Sequence, residues 1–352
     1  MSSGLTTRPD WDGLAAYRPE PAAPSARLDL SDNTSRFGVP PAAALALAAE
    51  PVAALARYPH ADAAPLRCAL ADYAGVLPGQ IVTGCGSDDV LDSAFRALAA
   101  PGARCALLAP TFPMAERFAR LNGLSPSSAP LSRDGGFDPD ALLAGAPALV
   151  YLCSPNNPTG AALDPDALEY VIAHAPGAVV LDEAYAEFAD GDWIARAPSR
   201  PNLLVTRTLS KAFGLAALRV GYAAATGRLI ERVELSRGPY KVSGIAERVA
   251  TAALRDDRPW VRERAAQAAA LRDRLSAALR GLGLEPLPSA ANFVSVPVRD
   301  AAALAAATSA RGVALRALPA LPGFGDVLRI TVAPWPELER ALAALAEALR
   351  CA

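Results

Sequence analysis

Residues 202–223 read NLLVTRTLSKAFGLAALRVGYA. Two apolar, strand-like runs, Asn202 to Thr206 and Arg219 to Ala223, flank the loop Thr208-Leu209-Ser210-Lys211-Ala212-Phe213-Gly214-Leu215. The loop sets a lysine in apolar surroundings behind two hydroxyls. Burial lowers a lysine pKa and favours the nucleophilic amine. A single lysine at a strand end is ordinarily solvated, so this reading depends on the residue's company.

Further strand-like runs precede the lysine: Gln80 to Thr83, Ala103 to Leu108, Ala148 to Cys153 and Ala178 to Leu181, with helix-length segments between most of them. After Ser87, the residues Val90, Leu91, Ala94, Phe95 and Leu98 recur at helical spacing, and Asp88, Asp89 and Asp92 lie near the favourable N-terminal end. Strand followed by helix implies an α/β architecture. Beyond about Val242 the pattern changes to long helices (Ile245 to Leu254, Trp260 to Leu279), short strands near Asn292 to Val296 and Val327 to Val332, and a final helix from Pro336. The expected division is a large domain over 35–242 and a smaller α+β domain made of 1–34 and 243–352.

Composition narrows the function classes. The chain has 352 residues, 52% of them hydrophobic, enough for a sizeable core. Its 34 basic and 36 acidic residues give a net charge of −2, with no long like-charge run to mark a nucleic-acid or acidic-membrane surface, so a small-molecule ligand is expected. Five cysteines form no Cys-x-x-Cys pair and sit largely in apolar runs, as expected in a reducing cytoplasm without disulfides. Met1 to Pro24 lacks a basic stretch followed by an apolar one, and no apolar run approaches about 18 residues, so a soluble, unexported protein is expected. His60 and His174 are too few for a metal cluster or a Ser-His-Asp triad.

Other segments supply chemistry around Lys211. Arg219, eight residues on, joins Thr208 and Ser210 in a set suited to a phosphate dianion. In Gly84-Cys85-Gly86-Ser87-Asp88-Asp89 glycines leave a strand as a helix begins, aiming free N–H groups at an anion. Val180-Leu181-Asp182-Glu183-Ala184-Tyr185 ends a strand on Asp182, which can pair with a protonated pyridine nitrogen and keep a cofactor ring electron-poor. Ser154-Pro155-Asn156-Asn157-Pro158-Thr159-Gly160 is a rigid turn able to hold the Asn157 amide against the ring oxygen of such a cofactor. Taken singly, these segments are equally compatible with a surface arginine, a turn, a helix cap and a tight loop. Together each follows a strand, the place where open α/β sheets bind ligands.

With these motifs, the run continuing through Arg219-Val220-Gly221-Tyr222, and the late Leu328-Arg329-Ile330-Thr331-Val332, the chain resembles the fold-type I pyridoxal-phosphate aminotransferases, most closely the histidinol-phosphate aminotransferase family, from about Leu28 to the C-terminus. The resemblance implies a mostly parallel seven-stranded sheet flanked by helices, plus the smaller α+β domain. It makes Lys211 the Schiff-base lysine that carries pyridoxal 5'-phosphate and moves the substrate proton, and Asp182 the partner of the ring nitrogen. Asn157 and Tyr185 become hydrogen-bond donors to the ring oxygen, and Phe112 the aromatic stacked on the ring. Ser87, Asp88, Thr208, Ser210 and Arg219 would bind the phosphate, joined by Tyr58 from the other subunit of a homodimer. Arg329 would grip a substrate carboxylate, Arg316 the phosphate of histidinol phosphate, and Asn33 would lie with the substrate. The implied reaction carries an amino group from a small-molecule donor, histidinol phosphate, to a 2-oxo acid, 2-oxoglutarate.

Departures from the family pattern bear on the substrate. Ser31-Asp32-Asn33-Thr34-Ser35-Arg36-Phe37-Gly38 lacks the family's proline, in a segment that folds over the active site in relatives. His60 replaces an acidic residue and Ala217 a glycine, and Arg36 adds a cation whose placement the sequence does not fix. An aromatic amino acid aminotransferase, a phosphothreonine-type decarboxylase and a non-catalytic cofactor-binding module are the alternatives.

Overall fold

The computed structural model describes Trp11, Ala16, residues 27–189 and residues 191–351. The expectation for Met1 to Pro24, and with it most of the 1–34 segment, lies outside the described residues.

Twelve strands form three sheets among the described residues: β1 (Leu28–Asp29), β2 (Ile81–Cys85), β3 (Arg104–Ala109), β4 (Ser125–Pro130), β5 (Leu149–Cys153), β6 (Ala178–Asp182), β7 (Leu203–Thr208), β8 (Val220–Ala224), β9 (Phe293–Pro297), β10 (Val313–Ala314), β11 (Arg316–Leu321) and β12 (Gly325–Thr331). The large sheet has seven strands in the order β2-β8-β7-β6-β5-β3-β4. Only β8 runs against its neighbours, pairing antiparallel with both β2 and β7. The large sheet is therefore mostly parallel, as the resemblance implies.

Continuous burial explains the sequence pattern of the central strands. Every residue of β5, β7 and β8 is buried, which removes the polar alternation of a half-exposed strand. Successive side chains go to opposite faces. Tyr151, Cys153, Val180 and Leu204 meet Val90, Leu91 and Phe95 of the helix Gly86–Leu98 on one face. Val150, Leu152, Leu181 and Val205 meet Leu168 and Val171 of the helix Pro165–His174, and Val249 and Leu254 of Gly244–Asp256, on the other.

β11, β12 and β9 make a three-stranded antiparallel sheet, and β1 pairs with β10 in a parallel two-stranded one. Phe293, Val294, Leu328 and Ile330 join the same core as the second face of the large sheet, together with Leu338 and Leu345 of the last helix, Trp335–Cys351.

Four edge strands, β4, β1, β10 and β11, are not foreshadowed by the sequence pattern. The first is Ser-Pro-Ser-Ser-Ala-Pro, which carries no apolar run; as an edge strand paired only with β3 it tolerates both prolines. The run expected from Arg219 starts at Val220, because Arg219 has φ 52° and turns the chain before the strand begins. No helix among the described residues is long and apolar enough to cross a membrane. Cys68, Cys85, Cys105 and Cys153 are free.

Candidate active site

β2, β5, β6 and β7 end at one edge of the large sheet, and the segments that follow them carry Ser87, Asn157, Tyr185, Lys211 and Arg219. Asp182 closes β6 and is buried. Tyr151 and Thr206 donate hydroxyl hydrogen bonds to its carboxylate over 2.9 and 3.3 Å, and the Ala184 N–H donates over 3.1 Å. Burial outweighs these donors and pushes the pKa of Asp182 up to about 6. Tyr151 and Thr206 were not anticipated. Strand alternation points both toward Asp182, a signal that needs the strand order to be read.

Lys211 is half-buried just beyond β7. Its Nζ donates to the Asp32 carbonyl over 3.4 Å and lies 5.8 Å from the Tyr185 ring centre. Burial first, then the nearby Arg329 charge, lowers its pKa to about 8. Lysine is also scarce: Lys211 and Lys241 are the only two in the chain. The Lys241 Nζ lies 3.7 Å from Asp89.

Tyr185 is buried, with its ring edge-on to Phe293 at 5.3 Å. Its hydroxyl accepts from the Asn33 side-chain amide over 3.1 Å, which leaves its own O–H to donate. Burial raises its pKa to about 12. Asn157 accepts from Arg329 Nη1 over 2.7 Å, which keeps its amide N–H groups for a ligand. Arg329 also donates to the Ser31 carbonyl over 2.8 Å, and Arg316 stands opposite it in the β11–β12 register. Phe112 is half-buried at the start of the helix Pro113–Leu121, on the loop leaving β3.

The phosphate set converges as well. Arg219 Nη1 donates to the Ser210 hydroxyl over 3.4 Å, and Nη2 lies 3.4 Å from the Asp88 carboxylate. Thr208 donates to the Ser210 hydroxyl over 2.9 Å. Gly86 has φ 80°, and a Cβ there would overlap the Arg219 guanidinium; a Cβ on Gly221 would overlap the Ser87 backbone nitrogen. The first N–H groups of the helix Gly86–Leu98 therefore lie beside two hydroxyls and a guanidinium, a donor set that fits a phosphate dianion. Burial raises the Asp88 pKa, against the pull of Arg219 and Lys211.

Two residues stand apart. Tyr58 is 85% exposed and stacks on Tyr240 with ring centres 5.0 Å apart. Arg36 makes a two-pronged ion pair with Glu337 at 2.9 and 3.0 Å, so its guanidinium is spent on the last helix. His60 meets the buried Glu247 at 2.7 Å, and among the described residues no group of His, Cys, Asp or Glu could hold a metal.

The model of the family described as aminotransferase class I and II matches residues 26–345. A histidinol-phosphate aminotransferase of Methylibium petroleiphilum is 38% identical over 350 residues, covering 96% of this chain and 93% of the relative. Histidinol-phosphate aminotransferase 2 of Pseudomonas aeruginosa is 37% identical, with 93% and 90% covered. The crystal structure of a histidinol-phosphate aminotransferase from Sinorhizobium meliloti, in complex with pyridoxal-5'-phosphate, superposes with a TM-score of 0.87 at 29% identity, covering 99% of each chain.

Proposed function

This chain belongs to the aminotransferase class I and II family, and from that premise we propose that it is a pyridoxal-phosphate-dependent enzyme moving the amino group of histidinol phosphate to 2-oxoglutarate. The observation that carries this reading is Lys211, an amine with a pKa lowered to about 8, placed beyond β7 at the sheet edge that also carries the buried Asp182 and the Ser210–Arg219 pair. Relatives named for that substrate, 35 to 39% identical over most of the chain, support the choice of donor.

Pyridoxal phosphate, when bound, supplies an aldehyde that condenses with amines and a ring that draws electrons from the adjacent carbon. The chain's own residues do the rest. Lys211 would be the residue that attaches the cofactor, and its amine, with a pKa lowered by burial to about 8, is the group that would take up and return the substrate proton. Asp182 would hold a ring N–H through a carboxylate already oriented by Tyr151 and Thr206. Tyr185 and Asn157 would offer donors to the ring oxygen, and Phe112 would supply an aromatic face to the ring. The N–H groups of Ser87 and Asp88, with Thr208, Ser210 and Arg219, anchor the phosphate. Arg329 takes a carboxylate, Arg316 the donor's phosphate, and Asn33 lines the substrate side.

We further place Tyr58 in the phosphate site of a second copy, a reading supported by the exposure of its ring in its own chain. The enzyme is then a homodimer. The division into a domain over 35–242 and a second over 1–34 and 243–352 follows the change from the large sheet to the β9–β12 lobe. The free cysteines support a cytoplasmic setting.

The test mixes purified, cofactor-loaded protein with histidinol phosphate, phenylalanine, phosphothreonine and glutamate in turn and follows the cofactor absorbance. Histidinol phosphate and glutamate should shift the band. Silence toward histidinol phosphate would end this reading.

A further inference from the structure

On the face of the large sheet opposite Asp182 lies a buried charged cluster that the mechanism does not use. Arg207 follows Thr206 and precedes Thr208 on β7, so alternation turns its side chain away from the face holding those two hydroxyls. Arg207 and Glu183 are both buried, at 8% and 2% exposure. Arg207 Nε donates to Glu183 Oε2 over 2.9 Å, and Nη2 lies 2.8 Å from the same oxygen. Glu183 Oε1 accepts the Trp193 N–H over 3.3 Å, and the Glu183 N–H donates to the Thr206 carbonyl over 2.8 Å.

Glu183 sits between Asp182 and Tyr185 on one loop, and Arg207 lies four residues before Lys211 on the neighbouring strand. The ion pair thus ties together the two segments whose spacing the chemistry depends on. Glu187 and Tyr73 stand behind it, with the Tyr73 hydroxyl donating to Glu187 over 3.4 Å. Desolvating such a pair costs much of what its attraction returns, and an apolar pair of similar volume is often as stable. Stability alone is therefore a poor reason for ions here, while fixed geometry at the cleft is a good one.

We propose that Arg207 and Glu183 are positioning residues that fix, from behind the sheet, the distance between Lys211 and the Asp182–Tyr185 loop. The inference rests on the roles given above to Lys211 and Asp182.

The experiment compares wild type, Glu183→Gln, Arg207→Met and the double variant Arg207→Met/Glu183→Leu. Three quantities are read: thermal unfolding of the cofactor-free protein, the pH midpoint of the bound cofactor's absorbance, and kcat against KM. Expected are a shifted pH midpoint and a kcat lower by about tenfold in the variants that fold, with KM changed less than about twofold. The double variant should regain the thermal stability the single variants lose, yet keep the shifted midpoint and low kcat. A double variant with wild-type midpoint and kcat would overturn the proposal, leaving the pair a structural filler. So would single variants that fold and titrate like wild type. A wild-type protein whose absorbance responds to neither pH nor amino donor would instead overturn the role of Lys211, and the positioning proposal with it.

Discussion

The Asn33 side-chain amide donates to the Tyr185 hydroxyl over 3.1 Å, although the two residues are separated by most of the large sheet in sequence. Asn33 is held for this by three further bonds: its N–H donates to the Thr331 hydroxyl, its side-chain oxygen accepts from the same hydroxyl, and its carbonyl accepts from the Asn292 amide. The divergent 31–38 segment is thus fastened into the cleft from β12 and from the loop before β9. Asn33→Ala should lower stability by about 1–3 kcal/mol, the cost of a buried polar group losing its partners, and reduce kcat as Tyr185 loses its orientation. Denaturant unfolding and steady-state kinetics check both, and a variant neutral in each would show that the contact is idle.

The same segment is latched from outside by Arg36 and Glu337, which retain 34% and 28% side-chain exposure. A half-solvated pair with good geometry is worth roughly 0.5–1 kcal/mol. A double-mutant cycle on Arg36→Ala and Glu337→Ala should return a coupling in that range that shrinks at high salt. A coupling of zero would mean that other contacts hold the segment.

Asp182 gives the cofactor-free protein a signed pH dependence. Its folded pKa, raised to about 6, exceeds the ordinary carboxylate value of 3.8. The folded state therefore binds the proton more tightly, so its stabilising contribution is complete below about pH 4 and is lost as pH rises through 6. The stability difference between wild type and Asp182→Asn should move against wild type across that window by about 3 kcal/mol. Parallel pH profiles would contradict the burial assigned to this carboxylate.

Tyr58 offers a check on assembly. Tyr58→Ala should raise the rate at which cofactor is lost on dilution by several-fold, while the protein elutes as a dimer. A monomer that retains both cofactor and activity would refute the cross-subunit role.

Much of this site was legible because chemistry-bearing residues sit where strands end. The runs Ala148 to Cys153 and Ala178 to Leu181 are apolar throughout, since their strands are covered on both faces, so the loops after them stand out. β4 was invisible for the opposite reason, being a polar edge strand. Tyr151 and Thr206 read as core residues until β5, β6 and β7 lie side by side, and the ion pair of Arg207 with Glu183 joins residues 24 apart in sequence through that same adjacency. The placement of Arg36 is not legible in the sequence because its partner arrives 301 residues later.

The central claim is that Lys211 holds the cofactor, and the scarcity of lysine makes its test direct. Borohydride reduction of the loaded protein, followed by digestion and mass spectrometry, locates the attached pyridoxyl group. Lys211 and Lys241 are the only lysines in the chain, so the label has few places to go. The account predicts stoichiometric label on Lys211 and none in Lys211→Ala. Label on Lys241, or an unlabelled Lys211 in an active enzyme, would contradict it.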